Sequence, residues 1–426
     1  MTLILQQNVY IEPHGPIVVD DVHESTVVLP VLRRLLDSAQ GGAVGMAAMY
    51  RPDCSLSSLA FATLTRALVV QFSAPQKPKQ RKKKAQEQRP TDTRARILLR
   101  DHILCDPSIQ LYGYRMDRIV IALFVELSLR INAAVDILSV SPDRFDRRSL
   151  QAIMNALGGE LLLQKEHVKS LFEDDVLATK DVAIQAWAAC RAATRADMAS
   201  RYATLSRIAT DTMPDDYLSV LAKISRQGNL LESLKPTKVV NNVKGDLVSK
   251  KGNLNIESTR FSTRIVPPYS SNQVIRIETQ VGDQRSTITG RAHVKGRQAY
   301  INVKGVVHPT GKIISVTTVG KGSLTAAESC REDVVRQALQ GTIKLTQYPF
   351  FCSIWMPSFG ISWPPSAQNG STKQLIFYPS STLNSSQDIA VQRIVSEQDR
   401  DRLVLIQGPP GTGKTTVIAA SVMSII

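Results

Sequence analysis

Residues 403–416 read Leu-Val-Leu-Ile-Gln-Gly-Pro-Pro-Gly-Thr-Gly-Lys-Thr-Thr. Leu403 to Ile406 form an apolar run long enough for one buried strand. Gly408 to Thr415 then spell G-x-x-x-x-G-K-T, the phosphate-binding loop. Its glycines let backbone N–H groups curl around phosphate oxygens without Cβ interference. In this reading Gly408, Gly411, Thr412, Gly413, Lys414, Thr415 and Thr416 form the cradle. Lys414 reaches the β- and γ-phosphates, and the Thr415 hydroxyl ligates Mg²⁺, the one metal-ligand assignment in the chain. A helix starting at the lysine adds its positive dipole end. The expected cofactors are ATP and Mg²⁺.

Composition sets the remaining bounds. A chain of 426 residues is expected to hold two or three domains. The formal net charge of +15 points to a polyanionic partner, a solvated basic surface being the plainer alternative. The five cysteines are widely spaced with no C-x-x-C, so neither a zinc site nor a disulfide framework is expected, and a reducing compartment is. The start, MTLILQQNVY, has neither a basic n-region nor a long apolar core, so no signal peptide is expected. No apolar run of about 18 residues exists, so no membrane span is expected.

Residues 17–205 follow a short N-terminal arm (1–16) and alternate strand-like with helix-like pieces, the pattern of an α/β domain with a central sheet. Strands are expected at Ile17–Val19, Ala43–Met49, Leu59–Phe61, Ala67–Phe72 and Ile109–Tyr112. A helix capped by Ser25 or Thr26 should carry Val31, Leu32, Leu35 and Leu36. Further helices are expected over Asp117–Leu129, Ser149–Leu157 and Val176–Thr194. Residues 75–93 break the pattern with Gln76-Lys-Pro-Lys-Gln-Arg-Lys-Lys-Lys84, which reads as a disordered surface loop. A nuclear-import signal or a nucleic-acid contact is the sharper alternative.

This block resembles the 3′–5′ exonuclease domain of the RNase D group, over roughly 180 residues. Where that family has V-G-x-D-x-E-x-x-P on a strand, this chain has Val44-Gly-Met-Ala-Ala-Met-Tyr-Arg-Pro52. Gly113 and Asp117 fit its second motif, Val135-Asp136-Ile137 a later one, and Ser149-Leu150 through Leu157-Gly158 another. The last motif, Y-x-x-x-D on a helix, falls on Ile184 and Ala188. The resemblance implies an RNase H-like fold and a two-Mg²⁺ site held by four carboxylates. Here Ala47, Met49 and Ala188 replace three of those acids, Ile184 replaces the tyrosine that would orient water, and Asp117 alone remains. Asp181 stands about two helical turns before Ala188, too far to substitute. The expectation is a pseudo-exonuclease without activity, with Asp117 serving as an N-terminal helix charge.

After a linker at 206–237, the pattern over 238–340 changes to period two. Val274–Thr279, Ser286–Val294 and Ala299–Val303 alternate apolar and polar residues, with Gly282-Asp283, Lys295-Gly296 and Lys304-Gly305 as turns. A small antiparallel β-barrel followed by a helix at Leu324–Leu339 is expected. Its outer face is basic, and Lys244, Lys250, Arg276, Arg291 and Lys304 are the candidate nucleic-acid contacts, ordinary strand surface being the plainer reading. Residues 341–382 form an aromatic and proline-rich connection.

Residues 383–426 begin with Leu383-Asn-Ser-Ser-Gln387, where Ser385 or Ser386 should cap a helix bearing Ile389, Val391 and Ile394. Together with the phosphate loop and its Val417-Ile-Ala-Ala420 continuation, this stretch resembles the start of a superfamily 1 helicase of the nonsense-mediated-decay helicase-like group. The resemblance implies that Gln387 reads adenine, and that this is the beginning of a RecA-like motor domain. A glutamine amide donates to and accepts from the adenine edge at once. A translocating motor also needs an acidic Mg²⁺ strand, a water-activating glutamate and arginines from a second motor domain, none of them within these residues. The chain is therefore expected to be the N-terminal part of a longer helicase or a truncated product, without useful ATP hydrolysis as it stands.

The reading is of an α/β multi-domain protein: an RNase H-like domain, a small antiparallel β-barrel, and the beginning of a RecA-like P-loop domain. The function expected is that of the N-terminal part of an ATP-dependent nucleic-acid helicase, RNA favoured over DNA and single strands over duplex. The alternative is a non-enzymatic nucleic-acid-binding pseudo-nuclease with an inert helicase stub; an active exonuclease ranks third. An intracellular location, nucleus or cytoplasm, follows from either, and the pseudo-nuclease domain is a candidate to recruit a protein partner.

Overall fold

The structure is a computed structural model that describes residues 2–39, 42–73, 93–141, 147–173, 178–241, 243–250, 253–258, 274–295, 298–304, 312–320, 322, 324–358, 375–376, 382–396, 401 and 403–425. The chain divides into two compact units, Met1–Leu345 and Thr346–Ile426.

The first unit opens with strands β1 (Thr2–Leu5) and β2 (Ile17–His23), helix α1 (Leu29–Leu36), and strands β3 (Ala43–Tyr50), β4 (Leu56–Ala62) and β5 (Arg66–Gln71). Helix α2 (Thr93–Leu99), strand β6 (Gln110–Gly113), helix α3 (Met116–Ala122) and strand β7 (Ala134–Asp136) follow. Then come helices α4 (Leu150–Leu157), α5 (Lys165–Glu173), α6 (Thr179–Thr194), α7 (Ala196–Ala203) and α8 (Asp215–Ser233). The strands form a mixed seven-stranded sheet in the order β1-β2-β5-β4-β3-β6-β7. Within the last five positions β4 alone runs against its neighbours, because β3, β6 and β7 pair in parallel and β4 is antiparallel to both β3 and β5.

Helix α6 covers the sheet, and its composition decides how closely. Ala183, Ala186, Ala188, Ala189 and Ala192 are all buried, and facing them on β3 is Gly45. A Cβ at Gly45 would sit 1.8 Å from the Ala186 carbonyl oxygen, so only glycine fits this approach. Trp187, fully buried, ties the same helix to the far end of the β4–β5 turn by donating from Nε1 to the Leu64 carbonyl at 2.8 Å. Tyr10 packs edge-on against Trp187 and donates to the Leu157 carbonyl at 2.9 Å, which anchors the N-terminal arm.

The remainder of this unit is β8 (Lys238–Asn241), β9 (Val243–Lys250), β10 (Asn253–Ser258), β11 (Val274–Val281), β12 (Gln284–Lys295), β13 (Gln298–Lys304), β14 (Lys312–Val319) and helix α9 (Ala326–Leu339). These strands pair antiparallel in the order β8-β14-β11-β12-β13-β10-β9. The two ends of that order, β8 and β9, are consecutive in the chain, one residue apart, and β9 also lies against β14. The sheet thus curls until its edges meet, around Ile275, Ile277, Ile288, Ile301 and Val316. Two polar groups inside are paired, Asn241 Nδ2 to Thr318 Oγ1 at 2.8 Å and Thr279 with Ser286 at 2.7 Å.

The second unit holds helices α10 (Pro349–Trp355), α11 (Ser385–Val395) and α12 (Lys414–Ile425). Val391, Val417 and Ala420 are buried between α11 and α12, with Leu375, Leu383 and Ile394 packed around them.

Four local expectations are corrected. Leu403–Ile406 is not a strand; the described residues of this unit contain no strand for it to pair with, and Leu405 stands 86% exposed. Ser25 and Thr26 lie in a 3₁₀ turn instead of capping a helix, and α1 starts after Val28 with Pro30 in its first turn. Asn384, ahead of Ser385 and Ser386, caps α11. Residues 215–233, within the expected linker, form α8, which buries Tyr217, Leu218, Leu221 and Ala222. The basic stretch 76–84, and the Trp363-Pro-Pro365 segment of the aromatic connection, lie outside the described residues.

Candidate functional site

The phosphate loop is assembled from local rules. Asn384 accepts from the Gln387 N–H at 2.9 Å, and Gln387 Oε1 accepts from the Asn384 N–H at 3.1 Å, a reciprocal cap for α11. Gln387 Nε2 donates onward to the Thr412 carbonyl at 3.0 Å, fastening the loop to that cap. Gly411 and Gly413 adopt φ of +85° and +76°, a region open to glycine. A Cβ at Gly413 would fall 2.4 Å from Gln387 Nε2, and one at Gly408 would fall 2.6 Å from Thr412 Oγ1. Lys414 opens α12, and its Nζ donates to the carbonyls of Gly408 and Pro409 at 2.8 and 2.7 Å. Thr415 is exposed on the first turn of α12 and Thr416 half-buried. The loop thus brings together glycine backbone, the Lys414 ammonium folded onto the loop's own carbonyls, and the first turn of α12.

The exonuclease-like positions tell a different story. Ala47 on β3 and Ile184 and Ala188 on α6 all belong to one large apolar core, 2%, 7% and 0% exposed, with Met49 packed against it. Among the described residues no group of three or more His, Cys, Asp or Glu side chains is arranged to hold a metal ion. Asp117, in the first turn of α3, is also buried. One carboxylate cannot neutralise and orient two hard cations, so these residues do not fit a two-metal centre.

What surrounds Asp117 instead is an ion-pair network that sequence reading missed. Arg148 donates to Glu232 of α8 at 2.6 Å and also to Glu332 of α9, which Arg115 approaches at 3.5 Å. Burial pushes the Glu232 carboxyl up, but Arg148 and Arg115 more than offset it and hold it below the usual range. For Glu332 burial outweighs Arg115 and Arg148, and the carboxyl stays above the usual range. Nearby, Arg147 pairs at 3.0 Å with Asp136, whose side chain is fully buried and also accepts from the Leu138 N–H at 3.0 Å. The network joins α3, α8 and α9 across a cavity of about 20 Å³ lined by Asp117, Glu232 and Glu332, room for about one water.

On the second sheet, Arg276 of β11 is exposed while its neighbours Ile275 and Ile277 are buried. Arg276 pairs with Thr289, and Thr289 with Lys304, in one cross-strand row. Arg291 pairs with Asn302, Asn302 with Asn253, and Asn253 with Lys250, in a second row. Thr289 and Arg291 are two residues apart on β12, which puts the two rows on one side of the pleat. Lys244 pairs with Glu257 beyond a register shift in β9–β10, so its row is not fixed by the others. The side chains of Lys244, Lys250, Arg291 and Lys304 lie outside the described residues.

Comparison with known proteins gives a limited set of likenesses. Residues 382–426 match a family model described as an AAA domain, and the end of the chain is helicase-like in sequence. No curated protein matches the chain. A solved structure described as the apo form of the nuclease is 13% identical over 50% of this chain and 86% of that chain, with a TM-score of 0.23, too low to argue a shared fold. No helix among the described residues is long and apolar enough to cross a membrane.

Proposed function

We propose that the chain is the N-terminal part of an ATP-dependent nucleic-acid helicase, RNA being the favoured substrate, and that it carries a catalytically dead 3′–5′ exonuclease-like domain. The observation that carries this reading is the Gln387–Thr412 tie between the α11 cap and a glycine cradle that opens onto α12. In this reading Gly408, Gly411, Thr412 and Gly413 offer backbone N–H groups to ATP, Lys414 leaves the Gly408 and Pro409 carbonyls for the phosphates, and Thr415 and Thr416 face them. Thr415 would hold Mg²⁺, which supplies charge neutralisation at the phosphates when bound. Gln387 retains one amide hydrogen and one lone pair for an adenine edge beyond the two bonds it makes. The α12 helix behind the loop supports a RecA-like start.

The strand order β5-β4-β3-β6-β7 with a reversed β4 supports an RNase H-like domain. The apolar residues at 47, 184 and 188 support the loss of its chemistry. Incubation of the protein with Mg²⁺ and single-stranded RNA or DNA is expected to leave the strand intact, and Asp117→Asn is expected to change nothing. Strand degradation that Asp117→Asn abolishes would sink that part of the proposal. For the nucleotide site, a fluorescent ATP analogue should bind the chain, and Lys414→Ala should remove binding; a version extended downstream should hydrolyse ATP with the same dependence.

The aligned rows of Arg276, Lys304, Arg291 and Lys250 favour a second reading, a nucleic-acid-binding protein in which the loop is inert. Salt-sensitive oligonucleotide binding without any nucleotide binding, unaffected by Lys414→Ala, would select it.

A further inference from the structure

Two helices carry the second sheet: the chain leaves α8 and reaches β8 through Thr237, and leaves β14 for α9 through Gly320. Where it enters and leaves, the Gly320 N–H donates to the Thr237 carbonyl at 2.8 Å. Apolar burial along these helices is uneven. On α8 the buried apolar side chains are Tyr217, Leu218, Leu221 and Ala222, all in its first half, while Leu230, Leu231 and Leu234 towards its end are exposed. On α9 they are Val335, Ala338 and Leu339, all in its second half. The helix halves nearest the second sheet in the chain are therefore not seated by hydrophobic burial.

Charges hold them instead. Arg148 stands in the turn before α4, whose Ile153, Met154, Ala156 and Leu157 lie in the core under α6. It donates from Nη1 to Glu232 of α8 at 2.6 Å and from Nη2 to Glu332 of α9, so one guanidinium bridges both helices. Arg115 reaches Glu332 at 3.5 Å from a left-handed backbone at φ +55°, which a non-glycine residue adopts only at a cost in free energy. Lys235 and Glu328, at 2.7 Å, tie the two helices to each other. The Arg148, Glu232 and Glu332 side chains remain 22% to 29% exposed, and the water-sized cavity lined by Asp117, Glu232 and Glu332 lies in the same seam. Ion pairs in such a setting are weakened by salt, whereas the apolar contacts of the other helix halves are not.

We propose that Arg148 is the pin of a charge-held joint. It fastens α8 and α9, and with them the second sheet, to the first sheet and its helices, and the joint loosens when the pin loses its carboxylates or when mobile ions screen it. Arg148 acts here as a positioning residue. The joint is separate from the phosphate loop and from the cross-strand rows, and it holds whatever those two bind.

The test is amide hydrogen exchange on the full chain, read segment by segment. In Arg148→Gln, residues 223–233 and 326–334 should exchange about tenfold faster or more, while residues 183–192 of α6 keep their protection. Glu232→Gln with Glu332→Gln should give the same local rise. Adding Arg148→Gln to that pair should change little further, because all three act through one interaction. In the unaltered chain, a step from about 0.05 to about 1 M sodium chloride should raise exchange in the same two segments and not in α6, and in Arg148→Gln salt should have no such effect. If both segments stay as protected in Arg148→Gln as in the unaltered chain, or if α6 loses protection equally, Arg148 does not hold this joint and the proposal is overturned. Should Arg148→Gln fail to fold, the salt series on the unaltered chain decides: a loss confined to the two segments supports the joint, and any other pattern overturns it.

Discussion

Gln387 donates from Nε2 to the Thr412 carbonyl oxygen at 3.0 Å while its own Oε1 accepts from the Asn384 N–H. One side chain therefore closes a helix cap and sets the shape of the phosphate loop. Gln387→Ala removes both bonds, each a net contribution of about 1 kcal/mol. We expect weaker binding of fluorescent ATP and GTP analogues by several-fold, with the larger loss for ATP. Equal losses for the two nucleotides would confine Gln387 to the loop and remove it from the base.

Asp136 and Arg147 form a buried pair with side-chain exposures of 0% and 13%. Asp136→Asn leaves Arg147 charged and unpaired in the interior, and stability should fall by about 3 kcal/mol in urea unfolding. Replacing both partners, Asp136→Leu with Arg147→Met, should recover most of the loss. A double variant no better than the single one would show that the pair does more than neutralise itself.

The α9 cap supplies a pH dependence with a definite sign. Burial pushes the Glu328 carboxyl up, but Lys235 at 2.7 Å and the bonds from Thr325 outweigh it, so the group falls from an ordinary 4.5 to about 2. A lowered carboxyl stabilises the fold above its unfolded value and loses that contribution as pH drops from 4.5 towards 2. Asp136 acts in the opposite sense: burial exceeds the pull of Arg147 and raises it, so its contribution fades as pH rises through its folded value. Glu328→Gln keeps the reciprocal cap and removes the charge. Urea midpoints at about pH 3 and about pH 6 should differ less for this variant than for the unaltered protein. An identical difference would assign the acid sensitivity elsewhere.

Gly45 meets α6 backbone, with the Ala186 carbonyl oxygen at 1.8 Å and the Cys190 nitrogen at 2.7 Å from a built Cβ. Neither atom yields without moving the helix, so Gly45→Ala should destabilise by about 3 kcal/mol or more. Gly15→Ala, where nothing lies within 4 Å, serves as the control and should leave the urea midpoint in place.

The parts of this fold that were legible in the sequence are those set by local patterning. The short apolar runs at Ala43–Met49 and Ile109–Tyr112 fall on strands Ala43–Tyr50 and Gln110–Gly113, and the period-two stretches after Val274 are strands too. Leu403–Ile406 shows the limit of that logic, since an apolar run becomes a strand only with a neighbour to pair. The ion-pair network was invisible because Arg148 finds its partners 84 and 184 residues away, a matter of topology and not of spacing. At α11 the sequence pattern was right and the cap one residue early, because Asn384 stands three residues before Gln387 and the two satisfy each other reciprocally. Of the basic residues picked out, Arg276, Lys304, Arg291 and Lys250 share aligned rows, which strand alternation alone suggested only for Arg276 and Lys304.

The close seat of α6 on β3 also decides what that interface can admit. Ala47 and Ala188 are small enough for the helix to settle on the strand, and both lie in the apolar core. An aspartate at either position would place a carboxylate in a dry, filled interior. Small residues here work as a ratchet: each tightening of the helix onto the sheet makes a polar or bulky side chain harder to admit.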